Sequence, residues 1–213
     1  SPEARAFRKV MDSREHKNKW FTPDNVRLAV RSIAEMLEKE KLERWLKPYD
    51  LPRLNHKSKT IAVIMAGNIP LVGFHDFLTV LVTGNNILAR TSSKDEELIR
   101  ELAKILVKTE GSLENNISFT DKIKDPYDAV IATGSDNTSR YFNYYFGHKP
   151  HIFRKNRNSV AIINNKTSEK DIAALGEDIF AYFGLGCRNV SKLYIEEGVD
   201  PRSLADQWSR WAC

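Results

Sequence analysis

Short apolar strands alternating with helices predict an α/β fold, a parallel sheet with helices on both faces, preceded by N-terminal helices. Three observations carry this expectation. Continuous apolar runs recur from residue 60 onward, most of them closed by a turn rich in Gly, Asn or Ser. The segments between them have helical apolar spacing or capping residues. Residues 1–50 instead hold charged helical stripes.

In chain order, Thr22 caps a helix with Pro23 at its first position. Val26, Val30, Ile33 and Leu37 form its apolar stripe, and Leu42, Trp45 and Leu46 extend it until Pro48 and Pro52 break the chain. One or two amphipathic helices are expected over 1–50. Residues 60–65 read as a buried parallel strand, and Gly67-Asn68-Ile69-Pro70 as the turn that ends it. An apolar helix follows over 70–83, then a strand over 85–90. Thr91 to Asp95 caps a helix that runs to about Lys108. Further strands are expected at 118–119, 127–132, 148–153 and 159–163, and a helix over 168–183 closes the unit. The aromatic run from Tyr141 to Phe146 follows a Gly-Ser turn, and at least half of it is expected to bury against the sheet.

Hydrophobic residues are 41% of the 213, enough for a core, and no stretch nears the roughly 18 apolar residues of a membrane span. Ser1-Pro2-Glu3-Ala4-Arg5 has no apolar signal region. Two cysteines, Cys187 and Cys213, do not make a disulfide framework, which points to a reducing, cytoplasmic setting. Net charge +5 favours anionic partners without choosing among nucleotide phosphates, a CoA tail and nucleic acid.

Ligands of open α/β sheets bind beyond the carboxyl ends of strands. Three polar turns fall there: Gly67-Asn68, Arg90 to Ser93, and Thr133-Gly134-Ser135-Asp136. The third combines a tight turn with a helix start whose amides can bind an anion, but no Gly-x-Gly-x-x-Gly fingerprint is present, and taken alone it reads first as an ordinary helix cap. At the end of a second strand an acid reads a ribose hydroxyl, whereas arginine accommodates a 2′-phosphate. Arg90, with Ser92 and Ser93, therefore favours NADP(H), or it is a surface arginine. Gly184-Leu185-Gly186-Cys187 follows an apolar helix. Flanking glycines let backbone approach a ligand, and such a thiol is either reactive or a small buried hydrophobe. The histidines His16, His56, His75, His148 and His151 show no metal spacing, and His75 suits helix packing better than base catalysis.

Taken in order, these turns resemble the aldehyde dehydrogenase superfamily, and within it the LuxC-type acyl-CoA reductases, over roughly residues 60–195. Gly67-Asn68-Ile69-Pro70-Leu71 is similar to the Asn-aromatic-Pro-Leu turn. Arg90-Thr91-Ser92-Ser93 stands where Lys-Pro-Ser is usual, Ala132-Thr133-Gly134-Ser135 resembles Phe-Thr-Gly-Ser, and Gly184 to Cys187 resembles Gly-Gln-x-Cys. The resemblance implies a Rossmann-like cofactor domain, Cys187 as nucleophile, and Asn68 with the Cys187 amide as oxyanion donors. It implies NADP(H) on Arg90, Ser92, Ser93, Thr133, Gly134, Ser135 and Asp136. Where hydrolytic members carry Glu-Leu-Gly-Gly-Lys, this chain reads Arg154-Lys155-Asn156-Arg157-Asn158-Ser159 and has no carboxylate. Without that base, acyl exchange with a thiol is better served than release by water.

The resulting expectation is an NADPH-dependent acyl-CoA reductase working through a cysteine thioester, with no metal, no nucleic-acid partner and homo-oligomerisation at full length. Residues 1–58 are the helical segment, 59–183 the cofactor domain, and 184–213 the start of a catalytic domain. The family's members are longer, so the chain is expected to be a fragment, inactive alone, with Cys213 incidental. Two alternatives stand: a reductase of acyl phosphates or semialdehydes, and a nucleotide or nucleic-acid module using the aromatic run for stacking.

Overall fold

The computed structural model describes residues 2–51 and 57–211, so Cys213, His56 and the break at Pro52 lie outside the described residues, as does the side chain of His16. The chain forms two compact units, Ser1–Lys155 and Asn156–Cys213.

The first unit opens with α1 (Pro2–Lys17), α2 (Pro23–Met36) and α3 (Lys39–Leu46). The stripe predicts at most two helices; three form because the chain turns again at Leu37–Glu38. Thr22 Oγ1 accepts the Asn25 amide at 3.3 Å with Pro23 at the first helical position, as the cap pattern predicts. Phe7, Phe21 and Val26 enter the same core as the sheet, and Lys17 pairs with Glu97.

Five parallel strands follow: β1 (Thr60–Ile64), β2 (Asn86–Arg90), β3 (Ile117–Phe119), β4 (Ala129–Thr133) and β5 (His151–Arg154), in the order β3-β2-β1-β4-β5. They are connected through α4 (Phe74–Val82), α5 (Glu96–Thr109) and α6 (Asp136–Phe146). Period-2 alternation divides β1 between two cores. Ile61 and Val63 join Ile87, Ala89 and Ile131 beneath α4 and α5, whereas Ala62 and Ile64 join Val130 and Ala132 beneath Phe142 of α6. Phe77, fully buried, stacks with Phe74 at 6.4 Å and with Phe119 at 6.3 Å, fastening α4 to the end of β3.

Fewer of the aromatic residues on α6 are buried than expected. Phe142 is buried and Phe146 packs beside it, but Tyr141, Tyr144 and Tyr145 are 65%, 81% and 60% exposed. One helical turn separates 142 from 146, so they share the sheet side and the tyrosines fall outward.

The second unit contains β6 (Ser159–Ile163), α7 (Glu169–Phe180), β7 (Val190–Ile195) and α8 (Pro201–Gln207). The pattern predicts 159–163 as another strand of the main sheet; instead β6 pairs in parallel with β7. Lys155–Asn158 is too short for the dozen or so residues a parallel crossover needs, and α7 supplies that crossover to β7. The helix expected to close the first unit is thus the connection within the second. Ile163, Ile172 and Leu204 form its core. Trp208 Nε1 donates to the Ile172 carbonyl at 2.7 Å, and a Cβ on Gly176 would come within 2.9 Å of Trp208 and Trp211.

The turn leaving β1 is held from a distance. Leu71 is buried and left-handed at φ 56°, and its amide donates to Asp95 Oδ2 at 2.6 Å. The capping stretch predicts Asp95 as a cap for α5, but its carboxylate makes no capping bond there; it is buried and serves the β1 turn.

Two outcomes are expected. Phe77→Ala should destabilise the chain by about 3–5 kcal/mol in denaturant unfolding, against at most about 0.5 kcal/mol for Tyr144→Ala. Asp95→Ala should cost about 1–3 kcal/mol, since it leaves the Leu71 amide buried without its acceptor.

Candidate functional site

Strand β1 has β2 on one side and β4 on the other, so the direction of winding reverses between β1 and β4. Open sheets bind ligands in the crevice outside such a switch point. Asn68 lies in the turn leaving β1, Arg90 ends β2, and Thr133 ends β4. The three predicted turns therefore share the carboxyl edge of one sheet.

The turns after β1 and β2 are in contact. A Cβ on Gly67 would fall 2.3 Å from Ser92 Oγ and 2.5 Å from Ser92 Cβ, so glycine is what lets this turn lie against the Ser92 side chain. Met65 N donates to the Arg90 carbonyl at 3.0 Å, extending the pairing to the edge. Ser92 is half-buried and Ser93 exposed. Arg90 is exposed; its Nε donates to the Asp121 carbonyl at 3.1 Å. Among the described residues its terminal nitrogens have no partner.

At β4, Gly134 N donates to the Arg154 carbonyl at 3.1 Å. A Cβ on Gly134 would meet Phe142 and Thr138 at 3.1 Å, so the glycine lets α6 begin tight against the strand. Ser135 caps α6: its Oγ accepts the Thr138 amide at 3.2 Å and bonds the Thr138 hydroxyl at 2.9 Å. Its hydroxyl is therefore engaged by its own helix, while the Asp136 and Asn137 amides that begin α6 have no hydrogen-bond partner among the described residues. Asp136 in the first turn competes with an anionic ligand for that helix end. Glycine-lined turns, free amides and an exposed guanidinium suit a phosphate-bearing dinucleotide.

Cys187 belongs to the second unit, where its thiol is exposed. After α7 the backbone turns left-handed at Tyr182 (φ 55°), Phe183 (φ 56°) and Gly184 (φ 69°). Burial pushes the Tyr182 phenol above the usual tyrosine range. The Gly186 amide donates to Asn189 Oδ1 at 2.7 Å, whereas among the described residues the Cys187 amide has no hydrogen-bond partner.

Sequence reasoning missed two polar residues besides Asp95. Asn189 is buried at the foot of the Cys187 loop. Asp76 of α4 pairs with Arg154 at 2.7 Å, bringing a carboxylate to the first residue of the stretch that contains none. Lys155 and Arg157 remain exposed. His75 tilts against Trp45 at 5.7 Å, in keeping with a packing role. Among the described residues no group of three or more His, Cys, Asp or Glu is placed to hold a metal ion. No described helix is long and apolar enough to cross a membrane.

Comparison with known proteins follows the same lines. Aldehyde dehydrogenase 21 from Physcomitrella patens, in complex with the reaction product succinate, matches with TM-score 0.61 at 17% identity, over 71% of this chain and 34% of that one. Propionaldehyde dehydrogenase from Rhodopseudomonas palustris, with bound propionyl-CoA, matches with TM-score 0.56 at 15% identity, over 72% and 37%. Succinic semialdehyde dehydrogenase from Streptococcus pyogenes, in complex with NADP+, matches with TM-score 0.62 at 13% identity, over 72% and 36%. At these identities the likeness speaks for the fold, which is that of the aldehyde dehydrogenases, and the chain spans about a third of each structure. Direct comparison with curated sequences finds no match. A family model described as acyl-CoA reductase (LuxC) matches residues 4–209, nearly the whole length, and the chain belongs to that family.

Proposed function

We propose that the protein reduces an acyl-CoA thioester to an aldehyde through an acyl thioester on Cys187. The observation that carries this reading is the exposed thiol on a loop whose Cys187 amide is unspent. A nucleophile and an oxyanion donor on one residue are what acyl transfer needs.

The Cys187 thiolate attacks the thioester carbonyl carbon, and the carbonyl π electrons move to oxygen. The Cys187 amide donates to that oxyanion. One such donor contributes roughly 3–4 kcal/mol in a well-studied protease. Collapse re-forms the carbonyl, the carbon–sulfur bond to CoA breaks, and CoA leaves as a thiolate that takes up a proton. Arg154 to Ser159 brings no carboxylate of its own, and the Asp76 carboxylate beside it is engaged by Arg154; both favour a thioester that persists against water.

NADP(H), when bound, supplies the hydride that takes the acyl group to the aldehyde. The residues that would hold it are Arg90, Ser92 and Ser93 at the ribose phosphate, and Thr133 to Ser135 with the Asp136 backbone amide at the pyrophosphate. The exposed guanidinium of Arg90 supports a 2′-phosphate over a bare ribose.

Mass spectrometry of the intact protein after exposure to acyl-CoA without reductant should show one acyl group on Cys187, and Cys187→Ala should show none. Labelling by acyl phosphate but not acyl-CoA would reassign the donor, and an unlabelled Cys187 would end the thioester reading. Arg90→Ala should weaken NADPH binding about tenfold in a fluorescence titration and leave NADH nearly unchanged.

A further inference from the structure

The loop that carries Cys187 is in a conformation the local chain does not favour. Tyr182 and Phe183 are left-handed although both have a Cβ that opposes that state. The last carbonyls of α7 need partners outside the helix. Asn189 meets both requirements from beyond the loop. Its Nδ2 donates to the carbonyls of Asp178 at 2.9 Å and Ala181 at 3.0 Å, and its Oδ1 accepts the Gly186 amide at 2.7 Å. Its backbone closes the loop as well: Asn189 N donates to the Gly186 carbonyl at 3.0 Å, and its own carbonyl accepts from Ser159 N of β6 at 3.2 Å. The residue is 9% exposed, so these bonds are made largely out of water.

This one amide thus bonds on both sides of the strained turn. It also decides which amide of the loop stays available: Gly186 N is consumed, and Cys187 N is not. We propose that Asn189 is a positioning residue for Cys187, holding the loop in the form that presents the Cys187 amide to an acyl oxyanion. The proposal rests on the thioester reading above. Asn189 does not touch the substrate in this account; it acts through the backbone of Gly186 and Cys187.

Two reactions of the same sulfur separate this role from a merely structural one. Acylation by acyl-CoA builds negative charge on an oxygen beside the loop amide. Alkylation by iodoacetamide displaces iodide at a saturated carbon and builds none there. Both rates are measured on Cys187 of the intact protein by peptide mass spectrometry. Asn189→Ala should slow acylation by at least about tenfold, within the roughly hundred- to thousandfold loss seen when an oxyanion donor is removed, and change alkylation by less than about threefold. Wild-type acylation with an unchanged rate in Asn189→Ala, or a parallel fall of both rates, overturns the positioning role and leaves the thioester reading standing. A wild-type chain that takes no acyl group overturns both. Should Asn189→Ala fail to fold, amide hydrogen exchange in the wild type decides: Gly186 should be protected and Cys187 should exchange freely, and equal exchange refutes the proposal.

Discussion

Residues 60–64 must hide both faces of one strand from water, because Ile61 and Val63 point to one side while Ala62 and Ile64 point to the other. A strand with that composition is stable only at the centre of a sheet that carries helices on each face. With β2 on one side and β4 on the other, winding has to reverse beside β1. The crevice at the carboxyl edge follows from that reversal, and it is why Asn68, Arg90 and Thr133 emerge on the same edge although they are far apart in sequence. Gly67 against Ser92 and Gly134 against Phe142 then set how closely the turns and α6 approach.

Polar contacts over long sequence distances hold the loops that leave this frame. Asp95 holds Leu71 in the turn after β1. Asp76 holds Arg154 at the end of β5. In the second unit Asn189 holds the end of α7 and the Gly186 amide. Each is a polar or charged side chain largely removed from water, and each takes a partner that a regular strand or helix does not supply. Loops are otherwise where backbone order is weakest, and fastening them this way fixes their backbone against the rest of the unit that carries them.

The charge pattern of the chain follows the same division of labour. The excess of basic residues includes the exposed Arg90, Lys155 and Arg157, whereas Arg154 is neutralised by Asp76 from another element. Within Arg154 to Ser159, then, the first residue is paired and half-buried while Lys155 and Arg157 are exposed. The exposed tyrosines of α6 likewise show that an aromatic run is divided by helical period and not by composition.

The sequence by itself determined β1, β2 and β4, the Thr22 cap and the three glycine- or hydroxyl-bearing turns. A buried parallel strand must be apolar residue after residue, and caps and tight turns are chosen by neighbours a few positions away. The short link from β5 to β6 already forbade a parallel pairing between them, a local signal that outweighs the apolar character of 159–163. Only the tertiary structure decided that β6 pairs with β7, that Asp95 serves Leu71 instead of its own helix, and that Asn189 governs the Cys187 loop. An aspartate or asparagine near a turn looks the same in sequence whether it faces water or a buried amide; what distinguishes the cases is which distant backbone group packing brings within hydrogen-bond reach.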